Sequence, residues 1–326
     1  MGSVLFVSQN RLGRCENLTA VWNAYRGEKD FALGNDAMRS AERDGYSVVV
    51  CDYLPKLIEG KSRVKSVNIG HGITGDKLYA ADENHKPWYD QAASDQIDYA
   101  ISTSKAGVGI VANQFRIPRA RVLPYGMPRT DSCFRDGFRY KSLGGRPVDR
   151  IYLYAPTYRN GDGRLPTIDW TLLDSLLEDG EVFVVKRHYF IKEPLMGERG
   201  HGWYRHVIEV SPDEPSEAYL RSCSVLLTDY SSILFDAYLF GKPSVLAVDD
   251  KDVYLRKRGM YYDYPAFYSS RWISVEGNEE RLVLALREAA ATGMRAVERR
   301  CVATVAGACD GHSTERVCDL ISKLAD

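Results

Sequence analysis

A polar stretch, Thr228-Asp229-Tyr230-Ser231-Ser232, separates two apolar runs in the second half of the chain. After it, residues 233–240 have the length and all-round apolarity of a buried helix, ended by Gly241 and Pro243. Two serine hydroxyls there could cap the first free backbone N–H groups of that helix, or could help hold a phosphate. Both uses ask for the same residue types, and from this segment alone the plain cap is the better account. Other polar groups suit the same chemistry. Thr157 and Arg159, in APTYRNG, offer a hydroxyl and a two-point donor for phosphate oxygens, a surface arginine being the plainer alternative. Lys186 and His188, in VVKRHY, offer a cation and an imidazole on one side of an extended strand, the alternative being an ordinary polar strand end. Arg129, in YGMPRTD, adds a further cation. His71 lies between Gly70 and Gly72, where small neighbours admit a substrate, and imidazole can take a proton from an attacking hydroxyl near neutral pH. A hydrogen-bonded histidine in a tight turn is the plainer reading of His71 alone. His201 and His206 lie in a Gly-rich stretch that reads as a solvated loop.

These side chains share one kind of position. Runs at 4–8, 47–51, 66–70, 98–102 and 121–126, then at 150–156, 182–188, 206–210, 224–229, 243–248 and 271–275, read as short strands alternating with helical or loop-rich segments. That alternation predicts parallel sheets covered on both faces. His71, Arg129, Thr157, Arg159, His188, Ser231 and Ser232 all follow such runs, and ligands of open parallel sheets bind beyond the carboxyl ends of the strands. One such coincidence means little, whereas five together point to an active site. Residues 140–150, polar with Gly-Gly and Pro, read as a linker. The expected organisation is therefore a first domain over 1–143 and a second over 144–326. Both are Rossmann-like and doubly wound, with a cleft between them and a closing helix able to pack back on the first.

Composition narrows the classes. With 43 Lys plus Arg against 44 Asp plus Glu, the formal net charge is -1, which argues against a general nucleic-acid binder. Seven cysteines, without paired C-x-x-C spacing, read as scattered reduced thiols. Neither a signal peptide nor an apolar run long enough to span a bilayer is found, so a soluble cytoplasmic protein is expected. Walker and G-x-G-x-x-G patterns are absent, and no His/Cys/carboxylate cluster has recognised metal-ligand spacing.

Taken in order, the motifs resemble those of the CDP-glycerol glycerophosphotransferase family of wall teichoic acid synthesis. IGHG is similar to the family's Trp-His-Gly segment, YGMPRTD to its G-x-P-R-x-D, YAPTYRNG to its A-P-T-[WY]-R and VVKRHY to its K-x-H-P. LTDYSSILFDAYLFGKPSVL follows the T-D-Y-S-S…F-D…K-P block, and YLRKRGMYYDY and CDGHSTERV resemble the closing segments. Gly70 stands where the family has Trp, and Tyr189 where it has Pro. The resemblance implies a GT-B arrangement and transfer of an alditol phosphate from CDP-glycerol or CDP-ribitol to a hydroxyl of a lipid-linked glycan or polymer acceptor, releasing CMP. It implies His71 as the base, with His188, Ser231 and Ser232 on the pyrophosphate. Asp236, one turn into the helix, would orient the donor. No cofactor beyond the substrate is implied, and the acceptor implies work at the inner face of the membrane. The terminal amphipathic segment and the basic run Arg256-Lys257-Arg258 would suit a peripheral membrane contact, although core packing is the better account of the terminal segment. The competing readings are a GT-B glycosyltransferase using a nucleotide sugar and a non-catalytic binding protein with a degenerate cleft.

Overall fold

The computed structural model describes residues 2–13, 16–34, 45–53, 64–70, 72–73, 94–159, 161, 163–197 and 203–326. The chain forms two compact units: residues 1–135 with 303–326, and residues 136–302.

In the first unit, β1 (Val4–Ser8), helix α1 (Glu16–Ala24), β2 (Lys29–Leu33), β3 (Val48–Cys51), β4 (Lys65–Asn68), β5 (Tyr99–Ile101), helix α2 (Val108–Phe115) and β6 (Val122–Leu123) follow one another. The strands make a parallel sheet in the order β2-β1-β3-β4-β5-β6. Alternation along the strands explains why both faces are covered. Val4, Phe6, Val48 and Val50 join Leu18 and Val21 of α1 in one core. Leu5, Val7, Val49 and Cys51 form another on the opposite face. Each fully buried aliphatic side chain contributes about 1.5–3 kcal/mol. β2, KDFAL, was not among the expected strands. It is a half-exposed edge strand whose Lys29 and Asp30 break the apolar signal.

The second unit opens with an antiparallel hairpin, β7 (Ser142–Leu143) and β8 (Arg146–Pro147). Sequence alone expected a linker here. Gly144 and Gly145 both have positive φ, at 56° and 77°, so a two-residue turn closes between the strands. β9 (Arg150–Tyr154), helix α3 (Trp170–Leu176), β10 (Glu181–Val185), β11 (Val207–Glu209), helix α4 (Ser216–Ser222), β12 (Val225–Thr228), helix α5 (Ile233–Leu239), β13 (Ser244–Ala247), helix α6 (Lys251–Arg258) and β14 (Trp272–Ile273) follow. Their sheet is parallel, in the order β11-β10-β9-β12-β13-β14. Helix α7 (Glu279–Thr292) buries Leu282, Val283, Leu286 and Ala289, a stripe at helical spacing, against Tyr152, Phe183 and Leu227. Glu181 sits under this layer. It accepts Tyr152 Oη at 2.6 Å, Arg287 Nη2 at 2.6 Å and the Glu178 amide at 3.1 Å. Burial alone would raise its carboxyl, but Arg287, Tyr152 and the Glu178 amide more than offset this and hold it at about 2. His206, expected in a solvated loop, is buried at the head of β11 with Nδ1 3.0 Å from the Glu181 carbonyl. His201 lies outside the described residues.

Helix α8 (Ala296–Val305) carries the boundary between the units, and helix α9 (Ser313–Ala325) belongs to the first. The division therefore falls at residue 135, not 143, and the closing segment returns to the first unit. Val317 and Ile321 enter the core beside Val4 and Phe6. Asp131 caps α9, accepting Ser313 N at 2.9 Å and Thr314 N at 2.7 Å, and Arg316 Nη2 donates to Tyr125 O at 2.8 Å. Gly126, at φ 84°, has no room for a Cβ, which would run into Ala308 O and Ser313 Oγ. YGMPRTD and CDGHSTERV are thus two halves of one clasp.

Candidate functional site

In the second sheet β9 has β10 on one side and β12 on the other, so the chain reverses its winding between β9 and β12. This is the topological switch point at which such sheets admit ligands. The loops leaving these two strands are cross-linked. Thr228 Oγ1 donates to Ala155 O at 2.7 Å, and Asp229 Oδ1 accepts Thr157 N at 2.8 Å and Tyr230 N at 2.7 Å.

Arg159 completes the frame. Its Nε and Nη2 donate to the two oxygens of Asp250 at 2.7 and 3.1 Å, and Nη1 donates to Thr157 O at 2.7 Å. Nη2 also lies 2.8 Å from Asp229 Oδ2, an ion pair without hydrogen-bond geometry. The guanidinium stacks 5.1 and 5.2 Å from the rings of Tyr230 and Tyr254, which stack on each other at 3.7 Å. Tyr230 Oη donates to Asp250 Oδ1 at 2.9 Å; burial and then Asp250 raise the pKa of this phenol, so its proton stays in that bond. Burial by itself would lower the Arg159 pKa, but Asp229 and Asp250 more than reverse it and the cation is held. Arg159 therefore ties together the ends of β9, β12 and β13. Sequence expected it to grip phosphate in two-point fashion; in the structure that fork is committed to Asp250. The partner lies 91 residues away, beyond any local pattern.

This frame supports three hydroxyls. Thr157 Oγ1 is buried and has no hydrogen-bond partner among the described residues. Ser231 and Ser232 are half-buried at the start of α5. The expected serine cap is not formed. Ser232 stands at the N-cap position with helical φ and ψ of -65° and -12°, and its side chain makes no capping bond. An N-cap ordinarily has extended backbone, which aims its oxygen at the amides ahead. Asp236 is buried within the same helix.

Lys186 and His188 follow β10 but part company. The strand ends at Val185, so strand alternation does not carry past it. Lys186 is buried, and its Nζ donates to Ser211 O and Pro212 O at 3.3 and 3.4 Å. His188 stacks on Tyr189 at 4.4 Å and lies 6.0 Å from Tyr158, near-parallel, so the imidazole meets the loop that carries Thr157 and Arg159. Its Nδ1 accepts Phe190 N at 3.2 Å, which makes Nε2 the protonated nitrogen of the neutral ring and a donor. Tyr158, Asp229 and Asp250 were not singled out from sequence. Asp229 stood in the quoted motif, but its role became apparent only with its distant partners.

In the first unit, Arg129 opens a 3-10 turn, Pro128–Phe134, with its Nε 3.9 Å from Glu16 Oε2. Buried Asn17 accepts the Arg129 amide at 3.1 Å and donates to Gly70 O at 3.0 Å, fixing both motifs from α1. His71 lies outside the described residues. Among the described residues, no helix is long and apolar enough to cross a membrane.

Residues 37–323 match the family described as CDP-glycerol:poly(glycerophosphate) glycerophosphotransferase. The teichoic acid glycerol-phosphate transferase of Staphylococcus aureus is 26% identical over 78% of this chain and 68% of its own. The teichoic acid ribitol-phosphate primase of Bacillus spizizenii is 30% identical over 70% of this chain, which spans only 59% of that relative's length. Among solved structures, the wall teichoic acid polymerase TagF aligns over 99% of this chain and 89% of its own, with a TM-score of 0.79 and 18% identity. A variant of it soaked with CDPG aligns with a TM-score of 0.74. The shared fold is of GT-B type, with two Rossmann-like units.

Proposed function

The chain belongs to the CDP-glycerol:poly(glycerophosphate) glycerophosphotransferase family, and from that premise we propose that it moves an alditol phosphate, glycerol phosphate first, from a CDP-alditol to a hydroxyl of a lipid-linked glycan or polymer acceptor. The acceptor oxygen bonds to the phosphorus bearing the alditol, the bond from that phosphorus to CMP breaks, and the electron pair leaves with CMP. His71 takes the acceptor proton, a contribution of about 10²–10⁴-fold for a positioned base. His188 Nε2, Thr157 Oγ1 and the Ser231 and Ser232 hydroxyls face the phosphate oxygens, where fixed donors are most effective against developing charge. Arg159 acts as a positioning residue behind them. Lys186 holds the surrounding loop, Asp236 orients the donor from one turn into α5, and Arg129 serves the acceptor side. What carries this reading is that the buried Thr157 hydroxyl lacks a partner among the described residues and Ser232 does not cap its helix, both beside the sheet's switch point. The reaction needs no resident cofactor in this reading. It takes place in the cytoplasm at the inner face of the membrane, where the basic last turn of α6 (Arg256, Lys257, Arg258) gives a peripheral contact with anionic lipid.

The test is CMP release by the purified chain from CDP-glycerol or CDP-ribitol with a lipid-linked or soluble acceptor, alongside His71→Ala and His188→Ala. Acceptor-dependent release that both substitutions abolish is the expected result. If neither donor yields CMP with any acceptor while a UDP-sugar is turned over, the nucleotide-sugar reading replaces this one.

A further inference from the structure

The first sheet carries a polar pair that the transfer chemistry above leaves unused. β1 ends in Ser8, and Asp52 directly follows β3. The register Val7↔Cys51 sets these two residues side by side at the carboxyl edge of the sheet. β1 has β2 on one side and β3 on the other, so this edge is the switch point of the first unit, the counterpart of the β9–β12 edge in the second.

Asp52 is only 3% exposed. Ser8 Oγ accepts the Asn10 amide at 3.0 Å and donates its own proton to Asp52 Oδ2 at 3.0 Å, which fixes the carboxyl group's orientation. The other oxygen, Oδ1, is buried and has no hydrogen-bond partner among the described residues. A buried carboxylate oxygen without a donor is costly, and proteins retain few of them. Burial raises this carboxyl to about 6, partly opposed by Ser8 and the Asp52 and Tyr53 amides. Three ligand chemistries could approach Oδ1. An anionic phosphate would be repelled. A metal ion would want further ligands, and no group of three or more His, Cys, Asp or Glu suited to a metal occurs among the described residues. A hydroxyl supplies the missing proton at no cost in charge.

We propose that Asp52, oriented by Ser8, binds a hydroxyl of a polyol acceptor through Oδ1. This rests on the transfer reading above, in which the acceptor is an alcohol, and it adds a specificity residue on the first unit for that alcohol.

The test uses the full chain and glycerophosphoglycerol, a soluble polyol phosphate, titrated by NMR without donor. The parent should bind it, and Asp52→Asn should weaken Kd by about ten- to a hundredfold, the usual range for a hydrogen bond to a charged group. Ser8→Ala, which frees the carboxyl to rotate, should weaken it by a smaller factor, and carries the test if Asp52→Asn does not fold. In turnover, Asp52→Asn should raise KM for the acceptor and leave KM for the CDP-alditol unchanged. Equal Kd for parent and variants, no binding by the parent, or a KM change confined to the donor would overturn the assignment. CMP release by the parent separates the two ideas. Asp52-dependent binding without CMP from either donor keeps the polyol site and removes the transfer reading. CMP release with binding indifferent to Asp52 does the reverse.

Discussion

Replacing Arg159 by leucine removes the cation from between Asp229 and Asp250 while keeping much of the side chain's bulk against Tyr230 and Tyr254. Both carboxylates are buried, and both lose their only cationic partner among the described residues. Removing one partner of a buried ion pair costs about 3–5 kcal/mol, because the remaining charge stays desolvated. Against a typical domain stability of about 5–15 kcal/mol this is large. For a unit of this size it corresponds to a fall in Tm of roughly 10 °C. Calorimetry and urea melts of the full chain would measure it, and the affected transition should be that of the second unit. Adding Asp250→Asn to Arg159→Leu removes one orphaned charge, so the double variant should be less destabilised than the sum of the two single variants. A cost below about 1 kcal/mol for Arg159→Leu, or a variant that keeps its stability and instead loses affinity for the CDP-alditol, would overturn this role for the cation. That second result would return the guanidinium to the substrate.

Two further predictions concern the start of α5 and the carboxylate beneath α7. Ser231→Ala and Ser232→Ala should each leave stability within about 0.5 kcal/mol of the parent, because neither serine caps α5, while raising KM for the CDP-alditol; a loss of about 1 kcal/mol with an unchanged donor KM would mark a true cap. Glu181, held at about 2 against an ordinary 4.5, contributes stability above the unfolded pKa that disappears as pH falls toward 2. The stability gap between the parent and Glu181→Gln should therefore narrow by about 3 kcal/mol between pH 6 and pH 2 in urea melts, and a gap that does not change with pH would contradict the assigned network.

The strands were readable because parallel strands buried on both faces are written as apolar runs, as in VLFVS, RIYLY and VLLT. The edge strand KDFAL was not, since one half-exposed face removes the run. The positions of Thr157, His188, Ser231 and Ser232 at strand ends were likewise readable, because polar residues directly after an apolar run mark the edge of a sheet. What each of them does was less accessible. Arg159 turned inward because Asp229 and Asp250 converge on it from two other strands, and that convergence is set by sheet order, not by spacing along the chain. Lys186 shows the same limit, since its carbonyl partners come from the loop after β11. The hairpin at 142–147 was masked by composition: Gly-Gly signals a break in either case, and only the positive φ of both residues makes it a turn. Asp52 carried no local signal, as a single aspartate after VVVC looks like any strand end until the neighbouring strand supplies Ser8.

The clasp between YGMPRTD and CDGHSTERV has a consequence for how the protein is made. The second unit is continuous from 136 to 302, so a ribosome delivers all of its residues in one uninterrupted stretch. The first unit needs Val317 and Ile321 to complete its core and Arg316 to tie down Tyr125, and these emerge only after the whole of the second unit. Domains generally fold as units during synthesis. Here the half translated first must wait, with the edge of its core uncovered, while the half translated second can finish. A nascent chain halted before residue 303 would carry a closed second unit and a protease-sensitive first one, and chaperones would meet this protein at its amino-terminal side.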